Sequence, residues 1–332
     1  MIITVTLNPA IDKTVRVDRL NVGGLSRVKA VREDAGGKGI NVSKTIRIFG
    51  GESMAVGLLG GMAGWQIEGT LDKLFIEHEF THVTGGTRTN LKVVDDDGRV
   101  SEINEPGPEI TEAELKLFCS RLEEMIKVGD IVVLSGSIPK GVPADFYKKL
   151  TTLSREKGAF VFADADGELL REVLYAKPDM IKPNFEELSA LMSERNENIT
   201  GDEKIVNSLP GELDFEDKEM IARAYSMGRT VHDEGIRQVI VSLGNLGAIF
   251  ITEKGAFYGP SPYVETHSTV GAGDALVAAF AYASEKGWKM EERMRFAIAA
   301  SACAVTTEGT SPASMMLINK LLERVEIIPL GV

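Results

Sequence analysis

The sequence predicts an α/β protein: a doubly wound, mostly parallel sheet with helices on both faces and a small separate β-sheet. Two observations carry this. From Thr111 onward, short β-branched runs alternate with helix-length segments, the rhythm of βαβ units. Two earlier stretches, residues 13–32 and 88–105, instead alternate apolar and polar side chains, as strands with one wet face do.

Taken in order, residues 2–7 form a β-branched run that closes on Asn8-Pro9, a buried first strand. Asp12 follows at its carboxyl end, where open α/β sheets place their ligands. Residues 13–20 and 27–32 alternate as strands. Gly36-Gly37-Lys38-Gly39 then leads into helical spacing over 40–49. Residues 55–59 read as another buried strand and 65–77 as a helix. Residues 88–94 and 100–105, joined by Asp95-Asp96-Asp97-Gly98, read as a hairpin. With the 13–32 strands they form a small sheet projecting from the main body.

Thr111-Glu112-Ala113-Glu114 is a capping box that opens a helix to residue 127. Strands at 130–134, 159–163 and 180–182 then alternate with helices at 143–157, 168–176 and 185–193. Residues 195–216, dominated by Asn, Glu, Asp, Gly and Pro, read as an acidic surface insertion rather than a domain boundary. The rhythm resumes with a helix at 217–235, a strand at 238–243 and a β pair at 248–252 and 256–259. A β-rich stretch at 257–266 precedes a glycine turn and a helix at 275–287. The tail reads as helices at 291–307 and 314–324, and residues 1–332 as one domain.

At 332 residues and 36.0 kDa the chain can bury one large core. No apolar run reaches the ~18 residues of a membrane span. The opening Met1-Ile2-Ile3-Thr4-Val5 has no basic region and reads as a core strand, not a signal peptide. Cys119 and Cys303 lie in helix-like segments without motif spacing, as buried thiols of a reducing cytoplasm do. A formal charge of −12 argues against nucleic acid as a partner. It leaves room for small anionic substrates, which a few local cations and N–H groups can hold.

The chemistry centres on Ser268-Thr269-Val270-Gly271-Ala272-Gly273-Asp274, which runs straight into a helix. Glycines permit a tight turn, and the helix start turns free N–H groups outward, a seat for phosphate. Asp274 in the first turn sets a carboxylate beside that anion, a layout for phosphoryl transfer. The plain alternative is a glycine turn capping a helix. Gly36-Gly37-Lys38-Gly39-Ile40-Asn41 is a second such turn, bringing a cation and an amide to one place. Ser135-Gly136-Ser137 and Ser242-Leu243-Gly244-Asn245-Leu246-Gly247 close buried strands at their carboxyl ends, each weak alone. Asn184 and Glu187 fit a capping box as well as they fit a magnesium role. His78-Glu79-Phe80-Thr81-His82 matches H-E-x-x-H, whose zinc chemistry needs both histidines on one helix face. Residues 80–84 look extended and no third ligand is evident, so these histidines are read as surface residues. Neither G-x-x-x-x-G-K-[ST] nor G-x-G-x-x-G occurs, so another loop must serve any nucleotide.

In this order the motifs resemble those of the ribokinase (PfkB) family of carbohydrate kinases. The likeness runs from Thr6-Leu7-Asn8-Pro9-Ala10-Ile11-Asp12 through Ala35-Gly36-Gly37-Lys38-Gly39-Ile40-Asn41-Val42-Ser43 and Thr87-Arg88-Thr89-Asn90. It continues through Ser135-Gly136-Ser137-Ile138-Pro139, Lys182-Pro183-Asn184 and Val241-Ser242-Leu243-Gly244 to the 268–274 turn. The resemblance implies a ribokinase-like domain with a β-sheet lid, and a homodimer formed through that lid. It implies Asp274 as catalytic base, with Gly271, Ala272 and Gly273 as the anion hole. It assigns Asp12, Gly37, Lys38, Asn41, Arg88 and Ser137 to a sugar phosphate, with Arg27 of the lid on its phosphate. It assigns Lys182, Asn184, Ser242, Gly244, Gly247 and Thr269 to ATP, and Asn184 and Glu187 to magnesium. Many members carry Asp-Thr where this chain has Ser268-Thr269, which leaves a monovalent-cation site open. The implied reaction is ATP-dependent phosphorylation of a ketohexose phosphate, foremost D-fructose 1-phosphate to fructose 1,6-bisphosphate. Tagatose 6-phosphate and fructose 6-phosphate are the alternatives. Two other classes, an NAD(P)-dependent oxidoreductase and a non-catalytic sugar-phosphate sensor, are separated from it by an ATP-coupled assay.

Overall fold

The computed structural model describes residues 1–307 and 314–331. A β-branched opening gives strand β1 (Ile2–Thr6), which is wholly buried. It sits between β4 (Ser53–Leu59) and β8 (Ile131–Ser135), parallel to both. Beyond β4 lies β5 (Glu77–His82); beyond β8 lie β9 (Phe160–Asp164), β10 (Met180–Ile181) and β11 (Gln238–Ser242), all parallel. The sheet then turns antiparallel through β12 (Ala248–Thr252), β13 (Gly255–Gly259) and β14 (Ile328–Leu330).

Alternate residues of the central strands serve two apolar layers. Val132 and Leu134 of β8 join the cluster under α3 (Glu112–Met125), α4 (Phe146–Glu156), α5 (Gly167–Leu174), α6 (Phe185–Glu194) and α8 (Phe215–Asp233). Ile131 and Val133 join the other, under α1 (Lys38–Ile48), α9 (Ala272–Glu285), α10 (Met290–Ala304) and α11 (Met315–Leu322). A strand apolar on both faces is what a sheet sandwiched between helices requires.

The four strands of alternating character form a second sheet in the order β3-β2-β6-β7: β2 (Ala10–Val17), β3 (Val28–Gly36), β6 (Arg88–Asp95) and β7 (Val100–Asn104). Its central pair, β2 and β6, is parallel. Only Val15, Val17 and Val93 make up its own core cluster, and β7 is exposed throughout.

Several expectations are corrected. The helix expected at 65–77 is α2 (Gly61–Lys73), and Glu77 already belongs to β5. The glycines at its start disguised its first turn, and Phe75, with φ 54°, reverses the chain. The β-rich stretch at 257–266 is a strand only to Gly259; 260–266 carries no regular structure. The short β14 was not anticipated: it is three residues with a central proline, held at the sheet's edge, where proline's missing N–H is tolerated. The acidic segment is more than surface: it holds α7 (Glu203–Ser208), whose Ile205 is buried in the main core with Leu209 just beyond it. Cys303 is buried but Cys119 only half-buried. No helix among the described residues is long and apolar enough to cross a membrane.

Candidate active site

The carboxyl ends of β1, β8, β9, β10 and β11, the heads of α1 and α9 and the inner side of the small sheet enclose one cleft of about 1320 Å³. A single ligand pocket is typically roughly 300–1,000 Å³, so this one accommodates two ligands side by side. Of nine buried side-chain atoms without a hydrogen-bond partner among the described residues, seven belong to its walls: those of Thr6, Asn8, Asn41, Arg88, Asn90, Ser135 and Asp164. Buried polar groups are rarely left unpaired, so their concentration here marks groups kept for ligands.

Gly271 adopts φ 88°, a left-handed turn that would strain any other residue, and caps α9. The first intrahelical bond runs from Ala275 N to Gly271 O, so the N–H groups before it have no helical acceptor. Asp274 lies in this first turn, 7% exposed. Its Oδ2 accepts a hydrogen bond from Asn41 Nδ2 at 2.9 Å. Burial pushes its carboxyl up to about 6, helped by the charge of Asp164 and opposed by Asn41, Lys38 and Lys182. Lys38 and Lys182 both spend their ion pairs on Asp164, at 3.5 and 3.2 Å. Burial alone would raise Asp164, but the two lysines overcome it and hold that carboxyl below its ordinary value. Two buried carboxylates thus diverge: Asp164 is locked ionised, while Asp274 is left basic. That is the separation expected where one acid must accept a proton near neutral pH.

At the other end, Asp12 of β2 accepts from Asn90 Nδ2 at 2.9 Å. Burial raises its carboxyl, against the Asn90 hydrogen bond and the charges of Lys44 and Arg88. Arg88 is fixed by the carbonyls of Glu105 and Asn8, at 3.1 and 3.2 Å. Asn8 Nδ2 in turn reaches Ser137 Oγ at 3.4 Å. Beyond Asp274, Asn184 and Glu187 form a capping box on α6: Asn184 Oδ1 accepts from Glu187 N at 2.7 Å, and Glu187 Oε2 from Asn184 N at 2.9 Å. Both also line the cleft, with Ser242, Gly244, Gly247 and Thr269.

The structure therefore gathers Asp274, Gly271, Ala272, Gly273, Asp12, Gly37, Lys38, Asn41, Arg88, Ser137, Lys182, Asn184, Glu187, Ser242, Gly244, Gly247 and Thr269 around one space. It does not bring Arg27 there: that residue is exposed just ahead of β3 and lies off the cleft of its own chain. His78 and His82 sit on strand β5 and pair with Asp72 and Glu68 of α2, each at 3.1 Å. Among the described residues no group of three or more His, Cys, Asp or Glu is placed to hold a metal. Sequence reasoning missed Asp164 and Asn90. The signal for Asp164 was its place as the last residue of a buried strand, Phe-Val-Phe-Ala-Asp, at the same carboxyl edge as Ser135.

Residues 5–315 match the model of the pfkB family of carbohydrate kinases. The chain belongs to that family. Like its other members, this pfkB kinase is a phosphotransferase with an alcohol acceptor, and the dinucleotide oxidoreductase reading falls away. It is similar to the 1-phosphofructokinase of Bacillus subtilis, 32% identical over 327 residues, 98% of this chain and 99% of that one. It is 33% identical over 331 residues to the tagatose-6-phosphate kinase of Staphylococcus epidermidis, 99% of each chain. Its fold superposes with a TM-score of 0.85 on Escherichia coli phosphofructokinase-2 in complex with potassium, at 27% identity, covering 97% of this chain and 98% of that one. The kinase fold is thus ribokinase-like, as expected.

Proposed function

We propose that this kinase transfers the γ-phosphoryl of ATP to the 6-hydroxyl of D-fructose 1-phosphate, giving fructose 1,6-bisphosphate and ADP. The observation that carries the reading is Asp274: a carboxylate raised to about 6, at the head of α9, with no ion pair consuming it among the described residues. Its ionised form takes the proton of the sugar hydroxyl as that oxygen attacks phosphorus, an effect typically worth ~10²–10⁴-fold. The N–H groups of Gly271, Ala272 and Gly273 meet the charge that develops on the phosphoryl oxygens, usually the larger contribution. Lys182, Asn184, Ser242, Gly244, Gly247 and Thr269 serve the ATP end; Asp12, Gly37, Lys38, Asn41, Arg88 and Ser137 serve the sugar phosphate.

The residues present fit a magnesium–polyphosphate ligand. Asp164 Oδ2 and Asn41 Oδ1 are buried oxygens with no protein partner, and Lys38 and Lys182 bring positive charge beside them. A full protein shell is not needed, because magnesium keeps several waters and leans on phosphate oxygens. By the family resemblance Asn184 and Glu187 would hold it; one oxygen of each accepts in the α6 capping box, which leaves Glu187 Oε1 for the ion, and there it would neutralise phosphate charge. The potassium complex of the Escherichia coli relative supports a monovalent cation as a further ligand.

The small sheet acts as a lid over the sugar end, excluding water that would compete as acceptor. Val22, Leu25, Val28 and Val31 before and within β3, with Val100 and Ile103 of β7, are exposed apolar side chains on this sheet. They suit a homodimer formed lid to lid, and Arg27 reaches a substrate phosphate only across such a dimer.

A fructofuranose ring has an approximate two-fold axis, so one clamp serves a 1-phosphate or a 6-phosphate. Tagatose 6-phosphate is the second reading, favoured by the 33% identity to a kinase of that name. Comparing kcat/KM for fructose 1-phosphate, fructose 6-phosphate and tagatose 6-phosphate in an ADP-coupled assay decides between them. The highest value on fructose 1-phosphate supports the proposal; no ATP-dependent turnover of any of the three overturns it.

A further inference from the structure

Asn90 has a geometry that a purely structural side chain does not need. It stands on β6 as the register partner of Asp12 on β2, so both side chains rise from the same face of a parallel pair, on backbones about 4.8 Å apart. Its Nδ2 donates to Asp12 Oδ1 at 2.9 Å. An ionised carboxylate only accepts, so the amide must present its NH₂ to Asp12 and turn its oxygen the other way. That oxygen, Asn90 Oδ1, is buried without a protein donor, on a residue that lines the cleft. Asp12 is confined on its other flank as well: a Cβ on Gly36 would overlap Asp12 Oδ2, so the bare glycine is what admits the carboxylate.

We propose that Asn90 is a substrate-binding and specificity-determining residue: its Oδ1 accepts a hydrogen bond from the sugar hydroxyl next to the one held by Asp12. The Asp12–Asn90 pair then reads two neighbouring ring hydroxyls of a ketohexose phosphate as a unit. One half of the pair is an ionic acceptor and the other a neutral one, locked together by the Asn90–Asp12 hydrogen bond. A phosphorylated sugar with a hydroxyl missing at either place leaves a buried oxygen unpaired, which sites built on hydrogen bonds reject strongly. This inference rests on the ketohexose-phosphate kinase reading given above.

The experiment measures steady-state kinetics of the full chain and of Asn90→Ala and Asn90→Ser. The substrates are the preferred ketohexose phosphate and its analogues lacking one ring hydroxyl. The proposal expects the KM for the sugar phosphate to rise about tenfold in both variants, with the KM for ATP within about twofold of wild type. It further expects wild type to lose at least about tenfold in kcat/KM on removal of either member of one neighbouring hydroxyl pair. In Asn90→Ala the penalty for one member collapses towards unity while the penalty for the other persists. An unchanged sugar-phosphate KM in a variant with wild-type ATP affinity overturns the proposal, and so does a wild-type enzyme indifferent to every single-hydroxyl deletion. The wild-type series needs no variant, so it stands even where a substitution impairs folding. If wild type phosphorylates no ketohexose phosphate at all, the functional reading itself fails, a result distinct from either.

Discussion

Asp274 and Asp12 are both aspartates that burial raises above the ordinary value, yet they belong to regions of opposite character. Asp274 heads α9, in which every residue from Asp274 to Ala281 is buried between the sheet and its neighbours. Asp12 stands on β2 of the small sheet, whose β3 is exposed over Val28–Glu33 and whose β7 is exposed along its length. Regions with few buried apolar contacts open at lower cost than a packed core. The contrast teaches where each task is put. Under the proposed function, the group that meets a transferring phosphoryl with little tolerance is fixed on the helix-packed body, and the group that releases one sugar and admits the next sits on the thinly packed sheet. Their partners differ accordingly: Asp274 is held by Asn41 from another body element, and Asp12 by Asn90 from its own sheet.

The largest expected effect breaks the body half of this contrast. Asp274→Asn keeps the shape and removes the base, so kcat falls by ~10²–10⁴-fold while the KM for either substrate moves by no more than about threefold. Initial rates in the coupled assay check it; near-normal turnover removes Asp274 from the chemistry. The small-sheet half is tested by Asp12→Asn. Losing the ionic acceptor raises the KM for the sugar phosphate about 10- to 100-fold, with the KM for ATP unchanged and kcat reduced less than in Asp274→Asn. If Asp12→Asn instead lowers kcat alone, the division of labour between the regions is wrong. The smallest effect sharpens the comparison at the turn itself. Nothing lies within 4 Å of a Cβ built on Gly271, so Gly271→Ala meets no steric clash and only the strain of φ 88°. That strain costs about 1 kcal/mol, lowering the melting temperature by about 2 °C and kcat by a few-fold through a misplaced N–H. A thermal melt with parallel kinetics measures both.

The body was more legible in the sequence than the site was. The βαβ rhythm after Thr111 reads correctly because each strand and helix carries its own periodicity, and the capping boxes at Thr111 and Asn184 are local hydrogen-bond patterns. The small sheet was legible for the same reason, since residues 88–95 and 100–104 alternate as a hairpin does. What escaped reading depends on partners far along the chain. Asp164 matters because Lys38 and Lys182 converge on it, 126 positions from the first. Asn90 matters because a parallel register sets it beside Asp12, a pairing no local pattern encodes. β14 forms only because β13 offers it an edge. Arg27 was assigned by the family resemblance alone, and its exposed position ahead of β3 is one that no spacing rule reveals.

The most direct test of the central claim is the pH dependence of kcat/KM in the unmodified enzyme between about pH 4.5 and 8, since that ratio reports the carboxyl of the free enzyme. Asp274 acts as base only when ionised, and its carboxyl is raised to about 6. The value of kcat/KM should therefore be near its plateau above pH 7, fall to about half near pH 6, and steepen towards tenfold per unit below about pH 5. The residual rate of Asp274→Asn should lack that limb. A wild-type rate that stays flat down to pH 5, or an acid limb that survives unchanged in Asp274→Asn, would contradict the assignment of this buried carboxylate as the proton acceptor.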